Sequence, residues 1–246
     1  MKLEGKKINF LGDSITFGFG LLDFPELPED FDPATMSLED NPLNSIDPDT
    51  LEGSFVNVLR EECKLAAARN YGVCGSRITR QHDDGRFDMF PDTFCDRADR
   101  MDPDADIVVV FGGTNDYGHG NALFGSFDDC DDSTFCGALH VLYRKLIMKY
   151  PSAEIVICTP LHRIGEKSPL GEGTKLVPGE PLIEYVKAIR RAAEDYSLPL
   201  LDLYACSGLQ PEVPVIAERY CPDGLHPNKA GYEILTRRIR NFLEAL

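Results

Sequence analysis

Three short polar clusters in the 246-residue chain carry side chains able to act on a substrate. They are Gly12-Asp13-Ser14, Gly112-Gly113-Thr114-Asn115-Asp116 and Asp223-Gly224-Leu225-His226. Together they supply a hydroxyl, an amide donor, an imidazole and carboxylates. A serine hydroxyl is a poor nucleophile until an imidazole takes its proton. The imidazole in turn works best when a carboxylate holds its far nitrogen, fixing the tautomer and stabilising the imidazolium. Asp223 stands three residues before His226, in a turn that contains Gly224 and is closed by Pro227, so one segment can provide both base and orienter. A lone histidine there would read as a turn residue; beside Asp223 and the other clusters it is the candidate base. No serine of the chain, Ser14 included, sits in a G-x-S-x-G elbow. Gly12 instead permits a tight strand-to-loop turn, from which the backbone N–H of Ser14 can face a developing oxyanion.

Two other classes of function draw on the same residues. Asp13, Asn115, Asp223 and His226 offer oxygen and imidazole ligands suited to Mn²⁺ or a similar ion, as in a metal-dependent phosphoesterase. Such sites usually use more histidines, and the five present form no H-x-H pair. A non-catalytic binding module on the same fold would be expected to have lost a triad position, and all three are present.

The clusters taken together resemble the SGNH hydrolases, also called the GDSL esterase/lipase family. Ser14 in "GDSIT" matches the family's nucleophile block and Gly75 in "NYGVCGSRI" the block that gives a glycine N–H to the oxyanion hole. Asn115 in "GGTND" matches the block giving a side-chain amide to the same hole, and Asp223 and His226 in "DGLHPN" match the D-x-x-H block. The blocks occur in the family's order and span residues 12 to 228. The resemblance implies a flavodoxin-like three-layer α/β/α sandwich with a central five-stranded parallel sheet. It also implies metal-independent ester hydrolysis, with no cofactor, by a Ser14-His226-Asp223 triad and an oxyanion hole of Ser14, Gly75 and Asn115. Without it, Gly75 and Asn115 read equally well as turn residues. Asp13 and Asp116 are expected to organise their loops by accepting backbone N–H bonds. The candidate substrate contacts are Asp13, His119 in "YGHG", and His162 and Arg163 just after the fourth strand.

The elements that must position these residues alternate between short β-rich runs and longer helical ones. Strands are expected at Lys7–Leu11, Ala67–Tyr71, Asp106–Gly112, Glu154–Thr159 and Leu198–Asp202. The runs at 107–111 and 155–157 are continuously apolar, as strands covered on both faces should be. A helix is expected near Ser54–Ala67. Others follow from the stripes Phe135, Ala138, Leu139, Leu142, Leu146, Ile147, Tyr150 and Leu182, Tyr185, Val186, Ile189, Ala193, Tyr196, the latter entered through Pro181. The last helix carries Ala230, Ile234, Leu235, Ile239, Phe242 and Leu243. This βαβ alternation predicts one three-layer α/β domain over residues 1–246. Two long excursions, about 21–52 and 160–180, leave the C-terminal strand ends, where open α/β sheets place their sites. The first holds ten carboxylates and no Lys or Arg; it reads equally as a wall of the cleft or a solvated excursion.

With 25 basic and 41 acidic side chains the formal charge is −16, which disfavours nucleic acid and anionic membrane surfaces as partners. No apolar run approaches the ~20 residues of a membrane span. Lys2, Lys6 and Lys7 lead into too short an apolar stretch for a signal peptide, so the expected compartment is the cytoplasm. The eight cysteines form no C-x-x-C pair and are expected as free thiols, several of them buried. The expected partner is a small-molecule ester, acetyl first, of a carbohydrate for example, with lysophospholipid or thioester substrates served by the same chemistry. A homo-oligomer is compatible with the sequence.

Overall fold

Ile107–Phe111 (β3) is apolar at every position because it runs through the middle of the molecule, and all five residues are buried. The computed structural model describes residues 1–22, 42–81, 91–175 and 178–246. In it β3 lies between Lys7–Gly12 (β1) and Glu154–Cys158 (β4), with Ala67–Gly72 (β2) and Leu200–Leu201 (β5) at the edges. The order is β2-β1-β3-β4-β5 and every pairing is parallel, the flavodoxin-like doubly wound arrangement.

Side chains of a strand alternate between faces, so even a continuously apolar strand feeds two cores. Val108 and Val110 pack on one side, beneath Phe94–Arg100 (α3), Phe135–Lys149 (α5) and Leu182–Asp195 (α6). Ile107, Val109 and Phe111 pack on the other, against Phe55 and Leu59 of Phe55–Glu62 (α2) and Tyr232, Leu235 and Ile239 of Lys229–Ala245 (α9). β2 is an edge strand and its burial alternates accordingly.

The strands and helices end close to where the chain was expected to turn, with one strand and one helix shorter than expected. β5 pairs through Leu200 and Leu201 alone, not the five residues anticipated. Its successor Asp202 turns its carboxylate to the Ala205 N–H and starts the short helix Leu203–Cys206 (α7), which blunts the sheet edge. α2 stops at Glu62 instead of running to Ala67: Cys63 closes it and Lys64 adopts φ 52°, turning the chain back toward β2. α3 was not anticipated at all. Its N-cap Thr93 accepts the Asp96 N–H at 3.1 Å and donates to the Asp96 carboxylate at 2.8 Å, a capping box that was the available signal.

Of the acidic excursion, residues 23–41 lie outside the described residues. Its C-terminal part is fastened to the sheet, with the Asn70 N–H of β2 donating to Asp49 Oδ1 at 2.6 Å. All eight cysteines are free thiols, and Cys95, Cys136, Cys158 and Cys221 are buried.

Candidate active site

The register pairs Gly12 with both Gly72 and Phe111, so β1, β2 and β3 end level at one edge of the sheet. In this strand order the chain reverses direction of winding between β1 and β3, and ligands of such sheets lie outside that point. Ser14 leaves β1 there and Asn115 leaves β3 there.

Asp13 caps the single turn Ser14–Phe17 (α1), its Oδ1 accepting the Ile15 N–H at 3.0 Å. Ser14 is the first residue of that turn, where a backbone N–H has no partner within the helix. Ser14 is only 5% exposed, and its Oγ lies 2.9 Å from Nε2 of His226. On the far side of the ring, His226 Nδ1 lies 2.6 Å from Asp223 Oδ2. The other carboxylate oxygen, Oδ1, accepts the backbone N–H groups of Leu225 and His226 at 2.9 and 2.7 Å. Burial pushes the Asp223 carboxyl up, but the hydrogen bonds and charge of His226 and the backbone N–H bonds outweigh it and leave it below its ordinary value.

Three contacts hold the histidine segment against the nucleophile segment. The Phe19 ring lies 4.6 Å from the His226 ring. Gly20 passes so close to the Pro227 carbonyl that an added Cβ would lie 2.1 Å from its oxygen. Tyr232 of α9 donates its hydroxyl to the Ile15 carbonyl at 2.7 Å, 217 residues away in sequence.

Asn115 belongs to the short helix Thr114–Gly118 (α4) and is buried. One hydrogen of its amide is donated to the Ser76 carbonyl at 2.9 Å, which fixes the amide plane and leaves the second hydrogen for a ligand. Gly75, beside Ser76, has φ 72°, the left-handed region that favours glycine. Asp116 takes the N–H groups of Ile78 and Thr79 at 3.0 and 2.9 Å and the Thr79 hydroxyl at 2.7 Å, so α4 and the Gly75 loop are clasped together.

The candidate substrate contacts part company here. Asp13 is 1% exposed and spends its carboxylate on its own turn. Arg163 is buried, donating from Nη1 to the carbonyl and hydroxyl of Thr114 and from Nη2 to Glu172 at 2.6 Å; it braces α4 and turns away from solvent. His162 is half-buried, with Nδ1 2.9 Å from Glu166 and its ring 3.7 Å from that of Tyr204. His119 lies 3.4 Å from Arg77 Nη1. Sequence reasoning missed Glu166, four residues from His162, and Tyr204, Arg97, Ser76 and Tyr232, whose roles come from contacts distant in sequence.

Asp13 is also the buried carboxyl with the clearest electrostatic signature. Desolvation raises it from 3.8 to about 6, against the opposing influences of the Ile15 N–H, His226 and Arg97. A carboxyl raised on folding binds more protons folded than unfolded between about pH 4 and 6, so stability declines as pH rises through that window. The displacement corresponds to about 3 kcal/mol at neutral pH. Asp13→Asn keeps the capping oxygen and removes the charge. Its melting temperature should exceed that of the wild type above pH 6 and converge with it near pH 4; parallel melting curves across that range would contradict the assignment.

Among the described residues no three or more His, Cys, Asp or Glu side chains come together as a metal-holding group, and no helix is long and apolar enough to cross a membrane. A hydroxyl, an imidazole and a carboxylate in hydrogen-bonded sequence, at the switch point of a parallel sheet, are the arrangement a serine-centred hydrolase uses. Residues 10–234 match the model of the GDSL-like Lipase/Acylhydrolase family, and the chain belongs to that family, whose members are hydrolases acting on esters. Among solved structures it is similar to a protein from Lactobacillus plantarum, 29% identical over 98% of each chain with a TM-score of 0.72. A lipase/acylhydrolase from Enterococcus faecalis shares the fold at 20% identity, covering 98% of this chain and 96% of its own, TM-score 0.58. So does the acetyl xylan esterase AlAXEase, at 20% identity over 96% of this chain and 98% of its own, TM-score 0.54. No curated protein matches the chain.

Proposed function

We propose that the protein is a metal-independent serine esterase acting on short acyl esters, acetyl above all. The observation that carries this reading is the continuous chain Ser14 Oγ–His226 Nε2 at 2.9 Å and His226 Nδ1–Asp223 Oδ2 at 2.6 Å. In the reaction His226 Nε2 takes the Ser14 proton as Oγ attacks the ester carbonyl carbon. The oxyanion is held by the N–H groups of Ser14 and Gly75 and the free amide hydrogen of Asn115. His226 returns the proton to the departing alcohol, then deprotonates a water that attacks the acyl-serine. The acid leaves, and Ser14 regains its proton. Asp223 stabilises the imidazolium in both halves.

The acetyl preference is supported by the name of one fold neighbour, an acetyl xylan esterase, and by the charge of −16, which disfavours anionic lipid head groups. The partner is a small ester such as an acetylated carbohydrate, and the working compartment is the cytoplasm, where free thiols persist. His162 remains the candidate contact for a substrate hydroxyl, because Glu166 occupies Nδ1 and leaves Nε2 to a ligand.

Hydrolysis of p-nitrophenyl acetate, butyrate and octanoate in EDTA tests this. The expected kcat/KM falls from acetate to octanoate and is the same without chelator. A preference for octanoate would favour a lysophospholipase or thioesterase working through the same site. Loss of all hydrolysis in EDTA would favour metal chemistry with Asp13, Asn115, Asp223 and His226 as ligands.

A further inference from the structure

Arg97 of α3 is a cation buried to 4% exposure with no carboxylate within ion-pair distance among the described residues. Removing a guanidinium from water without a contact counter-charge is costly, so its hydrogen-bond partners are informative. Nη1 donates to the Gly12 carbonyl at 2.9 Å and to the Tyr71 carbonyl, and Nη2 donates to Ser76 Oγ at 2.6 Å. The guanidinium also stacks on the Phe94 ring, its carbon 4.7 Å from the centroid. One planar fork thus ties together the end of β1 two residues before the nucleophile, the end of β2, and the turn beside Gly75. Burial holds Arg97 down to about 10, so it stays charged at neutral pH.

Ser76 is the other half of the device and is fully buried. Its hydroxyl, besides accepting from Arg97, donates to the Asp92 carbonyl at 2.8 Å. Its N–H donates to the Val73 carbonyl at 3.2 Å, closing the turn that carries Gly75. Its carbonyl is the acceptor that orients the Asn115 amide. Every polar group of Ser76 is therefore committed: its carbonyl to the Asn115 amide, its N–H to the turn that carries Gly75, and its hydroxyl to Arg97 and the Asp92 carbonyl.

We propose that Arg97 and Ser76 are positioning residues for the oxyanion hole. Arg97 fastens the nucleophile strand and the Gly75 turn to one rigid, charged centre, and Ser76 passes that register on to Asn115. The donors are then fixed before charge develops, which is what such a hole requires. The inference rests on the esterase reading and adds two residues to it.

The test compares Ser76→Ala and Arg97→Lys with the wild type on p-nitrophenyl acetate and on a boronic acid, which forms a tetrahedral, negatively charged adduct on Ser14 Oγ. Displacing donors by fractions of an ångström is expected to lower kcat about ten- to hundredfold. KM should stay within about twofold, because the ground-state carbonyl uses the hole weakly. Boronic acid affinity should fall by about the same factor as kcat/KM. Lys retains the charge but not the fork, so Arg97→Lys should not restore activity. Should Arg97→Lys fail to fold, Ser76→Ala carries the test alone. A folded Ser76→Ala protein with wild-type kcat, or one whose kcat falls while boronic acid affinity is unchanged, overturns the proposal. Wild-type hydrolysis that persists in Ser14→Ala would instead overturn the esterase reading beneath it.

Discussion

Ser14→Ala is expected to lower kcat for p-nitrophenyl acetate by about 10⁵-fold, the scale on which removing a triad nucleophile usually acts. The size follows from what remains. With Oγ gone, His226 has no hydroxyl to deprotonate, and only the oxyanion donors and binding contacts can assist a water. Structure should survive, because Asp13 still caps the Ile15 N–H and Tyr232 still reaches the Ile15 carbonyl. A cooperative melt near that of the wild type should accompany the lost activity. Loss of less than about tenfold would mean that Ser14 is not the attacking group.

Asp223→Asn should have the second largest effect, about 10³–10⁴-fold in kcat with the fold intact. Asp223 makes two kinds of bond, and the amide can keep only one. If its oxygen continues to accept the Leu225 and His226 N–H groups, its NH₂ faces His226 Nδ1 across the present 2.6 Å contact. That donor forces the ring proton onto Nε2, the atom that must accept from Ser14, so the imidazole is in the wrong tautomer. The carboxylate's contribution to stability is a separate matter. Its pKa is depressed on folding, so that contribution is present above the ordinary carboxylate value and is lost as pH falls through the depressed one. The side chain is 49% exposed, so solvent screens the effect. Kinetic loss in Asp223→Asn should therefore far exceed any change in melting temperature; unchanged kcat would remove Asp223 from the proposed mechanism.

The parts of the site legible in the sequence are those whose chemistry is local along the chain. Asp223 and His226 are three residues apart and bond through one turn. Ser14 follows a strand whose apolar run shows where it must end. β3 and β4 were legible because central parallel strands are apolar at their buried positions, continuously so at 107–111 and 155–157. α3 was not, because Phe94, Cys95 and Ala98 are diluted by four charged residues in a seven-residue helix whose buried face is completed by Arg97. A buried arginine looks like a surface residue until its acceptors are known, and those lie on residues 12, 71 and 76. Arg163, read from the sequence as a candidate substrate contact, likewise has acceptors that the sequence does not show, on Thr114 and Glu172. The length of β5 failed differently, since Leu198–Asp202 has strand character but Asp202 is drawn off to cap α7 and to pair with Arg190 at 2.9 Å.

Covalent trapping tests the central claim most directly. An alkyl fluorophosphonate, which loses fluoride as a serine Oγ attacks phosphorus, would be added in EDTA to wild type and His226→Ala, with intact-mass and peptide analysis alongside p-nitrophenyl acetate hydrolysis. The account predicts one label per wild-type chain, on Ser14, with hydrolysis lost in proportion to labelling and His226→Ala left unlabelled. Full hydrolysis by labelled protein, or a label on any other residue accompanying the loss, would contradict it.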